Sequence, residues 1–215
     1  MTTFTINCRR CERLAKFLDE VRGKYPDYFA RPVPSFGAAD ARLLIVGLAP
    51  GMHGANATGR PFTGDYAGVL LYQTLFDTGF ASQPEATRAD DGLELFDCRI
   101  TNAVRCLPPQ NKPVGAEVNN CNSYLRDELD SVPDGAVVLA LGSIAHRAVV
   151  KALGAKQAAY PFGHASEYHP AESTFTFLSS YHCSRYNTQT RRLTADMFRA
   201  VFDRAVDLLG ARSGD

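Results

Sequence analysis

The sequence lacks the features that mark membrane-spanning or exported proteins, and it has no excess of charge. None of its apolar runs approaches the ~18–20 residues that a membrane-spanning helix needs. Its first residues, MTTFTINCRRCERL, lack the apolar core of a signal peptide. We therefore expect a cytoplasmic protein without a membrane partner. The 23 basic residues equal the 23 acidic ones, which disfavours binding to nucleic acid through overall charge alone.

Internal repeats and low-complexity tracts are also absent, and the composition is that of an ordinary globular protein. A chain of 215 residues fits one domain with a sizeable core, so we predict a single domain over 1–215. Positive charge is nevertheless concentrated in two places, residues 9–16 and residues 185–192. Each stretch is either solvated surface or part of a nucleic-acid interface.

Apolar segments alternate with amphipathic ones along the chain. Continuous apolar runs predict strands buried on both faces of a parallel sheet, at 41–47, 96–104, 136–142 and 174–181. Helical spacing of apolar residues predicts helices at 8–22, 67–79, 117–131, 143–153 and 194–209, the last capped by Thr194. This alternation predicts an α/β fold, a three-layer helix–sheet–helix sandwich around a mainly parallel four-stranded sheet.

In such folds ligands bind beyond the carboxyl ends of the strands. We therefore expect the functional site in the segments that follow the predicted strands. They are 47–65, 102–112, 142–146 and 181–192.

Four of the six cysteines have metal-ligand spacing. Cys8 and Cys11 form a C-x2-C pair, and Cys106 and Cys121 follow the second predicted strand. Four thiolates satisfy either zinc or an iron–sulfur cluster, and spacing alone does not separate the two. Unligated thiols are the alternative. Cys98, inside a strand, is predicted to be a small buried hydrophobe.

The loop after the first strand, GLAPGMHGANATGRPFTGD (47–65), contains five glycines and two prolines in nineteen residues. Such a composition imposes a specific backbone path and allows close approach to a ligand. The loop contains neither the dinucleotide-binding nor the P-loop signature.

This loop resembles the first active-site motif of the family 5 uracil-DNA glycosylases, the B class of the uracil-DNA glycosylase superfamily. Four later segments resemble the same family: TNAVRC (101–106), LGSIAH (141–146), FGHASEYH (162–169) and HCSRYNTQTRRLT (182–194). With the cysteines, the resemblance extends from Cys8 to Thr194.

The resemblance implies a monofunctional DNA-repair glycosylase that acts on uracil, and on other deaminated bases, flipped out of DNA. It implies a 4Fe–4S cluster on the four cysteines named above. It also implies a monomer whose partner is damaged DNA. The residues implied to contact the base are Gly47, Gly51, His53, Phe62, Asn102 and His182. The residues implied to contact DNA are Ser184, Arg185, Tyr186 and Arg191, with Tyr186 as the wedge that fills the gap in the base stack.

Asp65, Asn102 and His182 are the implied catalytic residues. Asp65 would orient water or offset positive charge on the sugar, because Leu48 and Gly51 leave no polar group earlier in the motif. The alternative for Asp65 is that it caps the helix that follows. Cys183 stands where the family usually has proline, which predicts a less rigid loop.

The sequence is compatible with two other functions. One is a non-catalytic iron–sulfur protein that binds DNA lesions, which the apolar Leu48 and the Cys183 exchange favour. The other is an electron-transfer module, for which the sequence shows no flavin or partner site.

Overall fold

A five-stranded sheet forms the centre of the protein in a computed structural model that describes residues 4–210. The strands lie in the order β2-β1-β3-β5-β4, and β4 alone is antiparallel to its neighbour. Their bounds are β1 Leu43–Gly47, β2 Cys98–Asn102, β3 Val137–Leu141, β4 Ser166–Tyr168 and β5 Thr176–Ser180.

Seven α-helices accompany the sheet within residues 4–210. They are α1 Glu12–Lys24, α2 Ala55–Thr58, α3 Tyr66–Asp77, α4 Gly115–Leu129, α5 Ser143–Ala152, α6 Arg185–Gln189 and α7 Ala195–Gly210. Short 3-10 turns lie at Pro109–Asn111 and Gln157–Ala159. In this part of the chain, no helix is long and apolar enough to cross a membrane.

The parallel strands are buried because each face of the sheet is covered by helices. Leu43 and Ile45 of β1 pack into one apolar core with α3 and α7, whereas Leu44 and Val46 pack into a second core with α4 and α5. Alternate side chains of one strand thus enter opposite cores, as the pleat of a strand requires. The predicted three-layer sandwich is confirmed.

The predicted sheet was short by one strand. The four predicted strands are present, but Ser166–Tyr168 pairs with β5 as an antiparallel edge. This strand has three residues, all half-buried, so it carries no apolar run for a sequence pattern to detect. Thr194 caps α7 as predicted, since its Oγ1 accepts a hydrogen bond from Met197 N at 3.1 Å. The predicted domain, 1–215, extends at both ends beyond the described residues.

Candidate functional site

A cavity of about 450 Å³ opens at the carboxyl ends of the parallel strands. Its walls come from the segments that follow β1, β2, β3 and β5, which the parallel order brings to one edge. The residues that line it are Leu48, Ala49, Gly51, Phe62, Asp65, Tyr66, Ala67, Asn102, Asn111, Leu141, Gly142, Ser143, Ile144, Ala145, His182, Ser184 and Arg185.

Asn102, the last residue of β2, places an amide in this cavity. It is only 4% exposed, and its Oδ1 is buried without a hydrogen-bond partner. Gly47 lies beside it in the register of β1 and β2. A Cβ at Gly47 would collide with Asn102 Oδ1 and come within 2.8 Å of the Phe62 ring. Gly47 does not itself line the cavity, but the absence of a side chain at Gly47 makes room for two residues that do.

Phe62 forms an aromatic wall of the cavity and has a left-handed backbone with φ +56°. This conformation is uncommon for residues other than glycine. The Phe62 carbonyl approaches the Cα of Gly68 in α3 so closely that a Cβ there would collide with it. On the preceding residue, the Pro61 carbonyl accepts a hydrogen bond from Tyr72 Oη at 2.7 Å. These contacts hold the strained turn in place.

The His182 ring stacks near Phe62, with ring centroids 6.0 Å apart and planes 26° apart. Burial lowers the pKa of His182 to about 4, so the imidazole is neutral at physiological pH. Its Nδ1 is buried without a hydrogen-bond partner. Gly142 lies against it, since a Cβ at Gly142 would be 3.1 Å from the His182 Cβ.

Asp65 occupies the N-cap position of α3, but its side chain makes no capping hydrogen bond there. Instead its Oδ2 accepts a hydrogen bond from the Ala55 amide at 3.1 Å. The carboxyl group packs against Gly51 and Gly54, neither of which has room for a Cβ beside it. Burial raises the pKa of the Asp65 carboxyl, while the Ala55 hydrogen bond opposes that shift. Asp65 thus faces the cavity rather than capping the helix that follows it.

Besides Gly47, His53 is the predicted base contact that does not line the cavity. It is exposed and does not line the cavity. Its Nδ1 lies 2.8 Å from Tyr28 Oη, and its ring packs edge-on against Tyr25 and Tyr28.

The segment after His182 forms one rim of the cavity. Ser184 caps the short helix α6 by accepting a hydrogen bond from Asn187 N at 3.4 Å. Arg185 lies over the Tyr66 ring at 4.8 Å, and Tyr186 is 70% exposed. Arg191, also exposed, does not line the cavity.

Both cysteines that we left out of the metal set are fully buried in the apolar core. They are Cys98 and Cys183, and the prediction for Cys98 is confirmed.

The four cysteines of the predicted metal set gather beside α1, outside the cavity. Cys11 is the N-cap of α1, and Cys106 and Cys121 are buried in the apolar cluster that this helix covers. Burial raises the pKa of the Cys106 thiol, and the charges of Cys121, Cys8 and Cys11 raise it further. None of the four forms a disulfide. Among residues 4–210, no group of three or more metal-ligating side chains has the geometry for a metal ion.

Several cavity residues were not named from the sequence. Tyr66 follows Asp65 directly and is 43% exposed, and Asn111 reaches the cavity from a turn with φ +56°. The amino end of α5 also lines the cavity, through Ser143 and its neighbours. The segments 102–112 and 142–146 were expected at this edge, but no pattern within them distinguished these side chains.

Comparison with known proteins shows the class to which this fold and cavity belong. Residues 34–206 match the family model "Uracil DNA glycosylase superfamily". The chain therefore belongs to the uracil-DNA glycosylase superfamily.

Several of its relatives are type-5 uracil-DNA glycosylases. It is 46% identical over 208 residues to the type-5 uracil-DNA glycosylase of Thermus thermophilus, covering 94% of each chain. It is 43% identical to the type-5 enzyme of Pyrobaculum aerophilum, over 93% of this chain and 88% of the relative. The type-5 enzyme of Mycobacterium tuberculosis is 40% identical, over 94% of this chain and 78% of the relative. The resemblance to the type-5 family is thus confirmed.

Proposed function

We propose that this protein is a monofunctional DNA-repair glycosylase. It hydrolyses the N-glycosidic bond of uracil flipped out of DNA, and it releases free uracil and leaves an abasic site. The observation that carries the proposal is the buried, unpaired amide oxygen of Asn102, which shares one cavity with the stacked rings of Phe62 and His182. A base inside a duplex must be extruded into such a pocket before an enzyme can reach it.

Asn102 supplies the base selectivity. Its amide accepts from N3–H of uracil and donates to O4. Cytosine presents the opposite pattern at both positions, so a cytosine in the pocket would leave buried polar groups unpaired. Each unpaired group costs about 1–3 kcal/mol. Phe62 stacks on the base face and gives affinity without selectivity.

His182 stabilises the leaving group. When the C1′–N1 bond breaks, its electron pair leaves with uracil, and negative charge develops on the O2 side of the base. Because burial lowers the pKa of His182 to about 4, the ring that faces this charge is neutral and donates one N–H to it. A fixed donor aimed at developing charge is worth roughly 10²–10³-fold in rate.

Asp65 acts on the sugar side. The Ala55 amide holds its Oδ2, and the other oxygen orients a water toward C1′. As the sugar becomes positively charged, the Asp65 carboxylate stabilises that charge. It takes a proton from the water while the oxygen of the water bonds to C1′. The released proton passes through solvent to the uracil anion, so the overall reaction is hydrolysis.

The rim segment after His182 grips the DNA. Tyr186 projects into solvent and fills the gap that the flipped nucleotide leaves in the base stack. Ser184, Arg185 and Arg191 bind phosphates. Arg192 lies over the Tyr181 ring at 4.7 Å, which fixes its guanidinium beside this segment. Other deaminated bases that fit the cavity are further substrates.

Excision of uracil from a duplex with one U·G pair tests the proposed function. The wild type is expected to leave an alkali-labile site, and the test variants are Asp65→Ala, Asn102→Ala and His182→Ala. Each is expected to lose at least ~10²-fold in single-turnover rate, whereas His169→Ala, at an exposed position, keeps the wild-type rate. No alkali-labile site with wild-type protein, together with tight binding to the same duplex, would instead support a non-catalytic lesion-binding protein.

We also propose that Cys8, Cys11, Cys106 and Cys121 hold a 4Fe–4S cluster, for which zinc is the less favoured alternative. The chemistry of the donor set suits a cluster, because all four cysteines are free thiols and four thiolates are the usual ligands of an iron–sulfur cluster. Cys106 and Cys121 are buried in one apolar cluster, and Cys11 packs against it. A bound cluster would join the segment before α1 to α4 and would have a structural role.

Metal analysis of anaerobically purified protein tests the cluster. About four irons and the visible absorbance of an iron–sulfur cluster are expected per chain. Cys121→Ser is expected to lower the iron content and the melting temperature, whereas Cys98→Ala, at a buried position in β2, keeps its iron. Stoichiometric zinc in colourless protein would contradict the iron–sulfur assignment.

We further propose that the enzyme acts as a monomer, since one chain supplies every group that binds base, water and phosphate. We also propose that it acts in the cytoplasm. Light scattering is expected to give the mass of one chain, 23.5 kDa. A dimer mass in the absence of DNA would contradict this.

A further inference from the structure

The segment FGHASEYH (162–169) contributes none of the groups assigned to catalysis, yet it contacts the backbone beside His182. His164 lies half-buried just before the edge strand β4. Its Nδ1 accepts a hydrogen bond from the Tyr181 amide at 3.3 Å, and its ring packs against the Tyr181 ring with centroids 5.1 Å apart. The same imidazole hydrogen-bonds to the backbone of Met197 in α7. His164 thus ties the end of β5 to two neighbouring elements.

A second side chain holds the same backbone from the other direction. Asn187 in α6 donates from its Nδ2 to the His182 carbonyl at 2.8 Å. Side-chain hydrogen bonds therefore fix the backbone before and after His182. His164, which precedes β4, holds the Ser180–Tyr181 peptide group, and Asn187 in α6 holds the His182–Cys183 peptide group.

This arrangement matters because the His182 ring has no anchoring hydrogen bond of its own at Nδ1. Functional histidines are commonly oriented by a partner on the second ring nitrogen, and here that nitrogen is buried without one. The movement of the His182 ring is limited by its stacking on Phe62 and by its contact with Gly142. A shift in the backbone at His182 would therefore move the ring directly.

We propose that His164 and Asn187 are positioning residues that fix the His182 ring by clamping its backbone at the end of β5. The inference rests on the proposed glycosylase function, in which His182 donates to the departing base. A misplacement of about 1 Å at such a donor can lower the rate by as much as ~10²-fold.

Single-turnover excision by His164→Leu, His164→Asn and Asn187→Ala tests the clamp. His164→Leu removes the acceptor for the Tyr181 amide, so its excision rate is expected to fall about tenfold or more. Its affinity for duplex with a non-cleavable uridine analogue is expected to stay within about twofold, since the clamp touches neither base nor phosphate. In His164→Asn the side-chain oxygen replaces Nδ1 as acceptor, and the rate is expected to recover to within about threefold of wild type.

The matched control is His169→Leu, because His169 belongs to the same segment but its side chain is 64% exposed. It is expected to keep the wild-type rate. Equal rates in His164→Leu and His164→Asn would refute the clamp, and so would a wild-type rate in Asn187→Ala. Asn187→Ala, at a half-buried surface position, decides the matter if His164→Leu does not fold.

The proposed function and the clamp fail in different ways. A wild-type protein without excision activity would refute the glycosylase, whatever the variants do. The clamp is measured independently by hydrogen exchange at the Tyr181 amide, which is expected to accelerate in His164→Leu and to be restored in His164→Asn. Unchanged exchange in His164→Leu would refute the clamp even in an active enzyme.

Discussion

Replacing Asn102 by leucine should make the free protein more stable while it destroys the activity. Asn102 Oδ1 is buried and unpaired, and an unpaired buried acceptor costs about 1–3 kcal/mol. Leucine has nearly the same shape without the polar atoms. We expect a gain of about 1 kcal/mol in the free energy of unfolding, which raises Tm by roughly 2–4 °C in a protein of this size. Uracil excision should fall by about 10²–10³-fold.

Asn122→Leu is the matched control, because Asn122 is equally buried but its amide makes a hydrogen bond. Its Nδ2 donates to the Ala148 carbonyl in α5 at 2.8 Å. This variant should lose about 1 kcal/mol and keep its excision activity. Thermal unfolding and single-turnover excision measured on both variants give the result. A Tm of Asn102→Leu that falls as far as that of Asn122→Leu would show that the Asn102 amide is already satisfied, and the reasoning would be wrong.

Two further predictions concern the loop after β1. Gly68→Ala should lower stability by about 1–3 kcal/mol and abolish excision, because its Cβ would collide with the Phe62 carbonyl. Gly23→Ala, in α1 with open space around it, should gain up to ~1 kcal/mol; equal Tm values for the two variants would contradict this. Because burial raises the pKa of Asp65, excision should decline on acidification at a higher pH than for a solvated aspartate. The folded state binds the extra proton, so ionised Asp65 lowers stability as pH rises through that range. Asp65→Asn should abolish the acid limb of the rate profile, whereas an unchanged limb would assign it to another group.

The sheet was predictable from the sequence because its central strands are apolar on both faces. Runs such as the one ending at Gly47 have no other stable location than the middle of a sandwich. The edge strand at Ser166–Tyr168 and the short helix Arg185–Gln189 escaped prediction because each is held by its neighbours rather than by a local pattern.

The location of the site was predictable from the sequence, but the orientation of its side chains was less so. Parallel topology alone brings Asn102 and His182 to one edge, and family resemblance singled out both. The direction of a side chain within the glycine-rich loop is set by tertiary contacts. His53 therefore turns to Tyr28, and Asp65 turns away from the helix that it precedes. The charge state of His182 likewise follows from burial, which the sequence does not display.

The parallel order of the strands has a consequence for how the enzyme is made. Gly47, Asn102 and His182 are widely separated along the chain but adjacent in the fold. A nascent polypeptide that has formed β1 to β3 still lacks β5 and the histidine behind it, so it has no pocket to receive a nucleotide. The protein therefore becomes competent to receive a flipped nucleotide only after β5 and His182 have been synthesised and have joined the sheet.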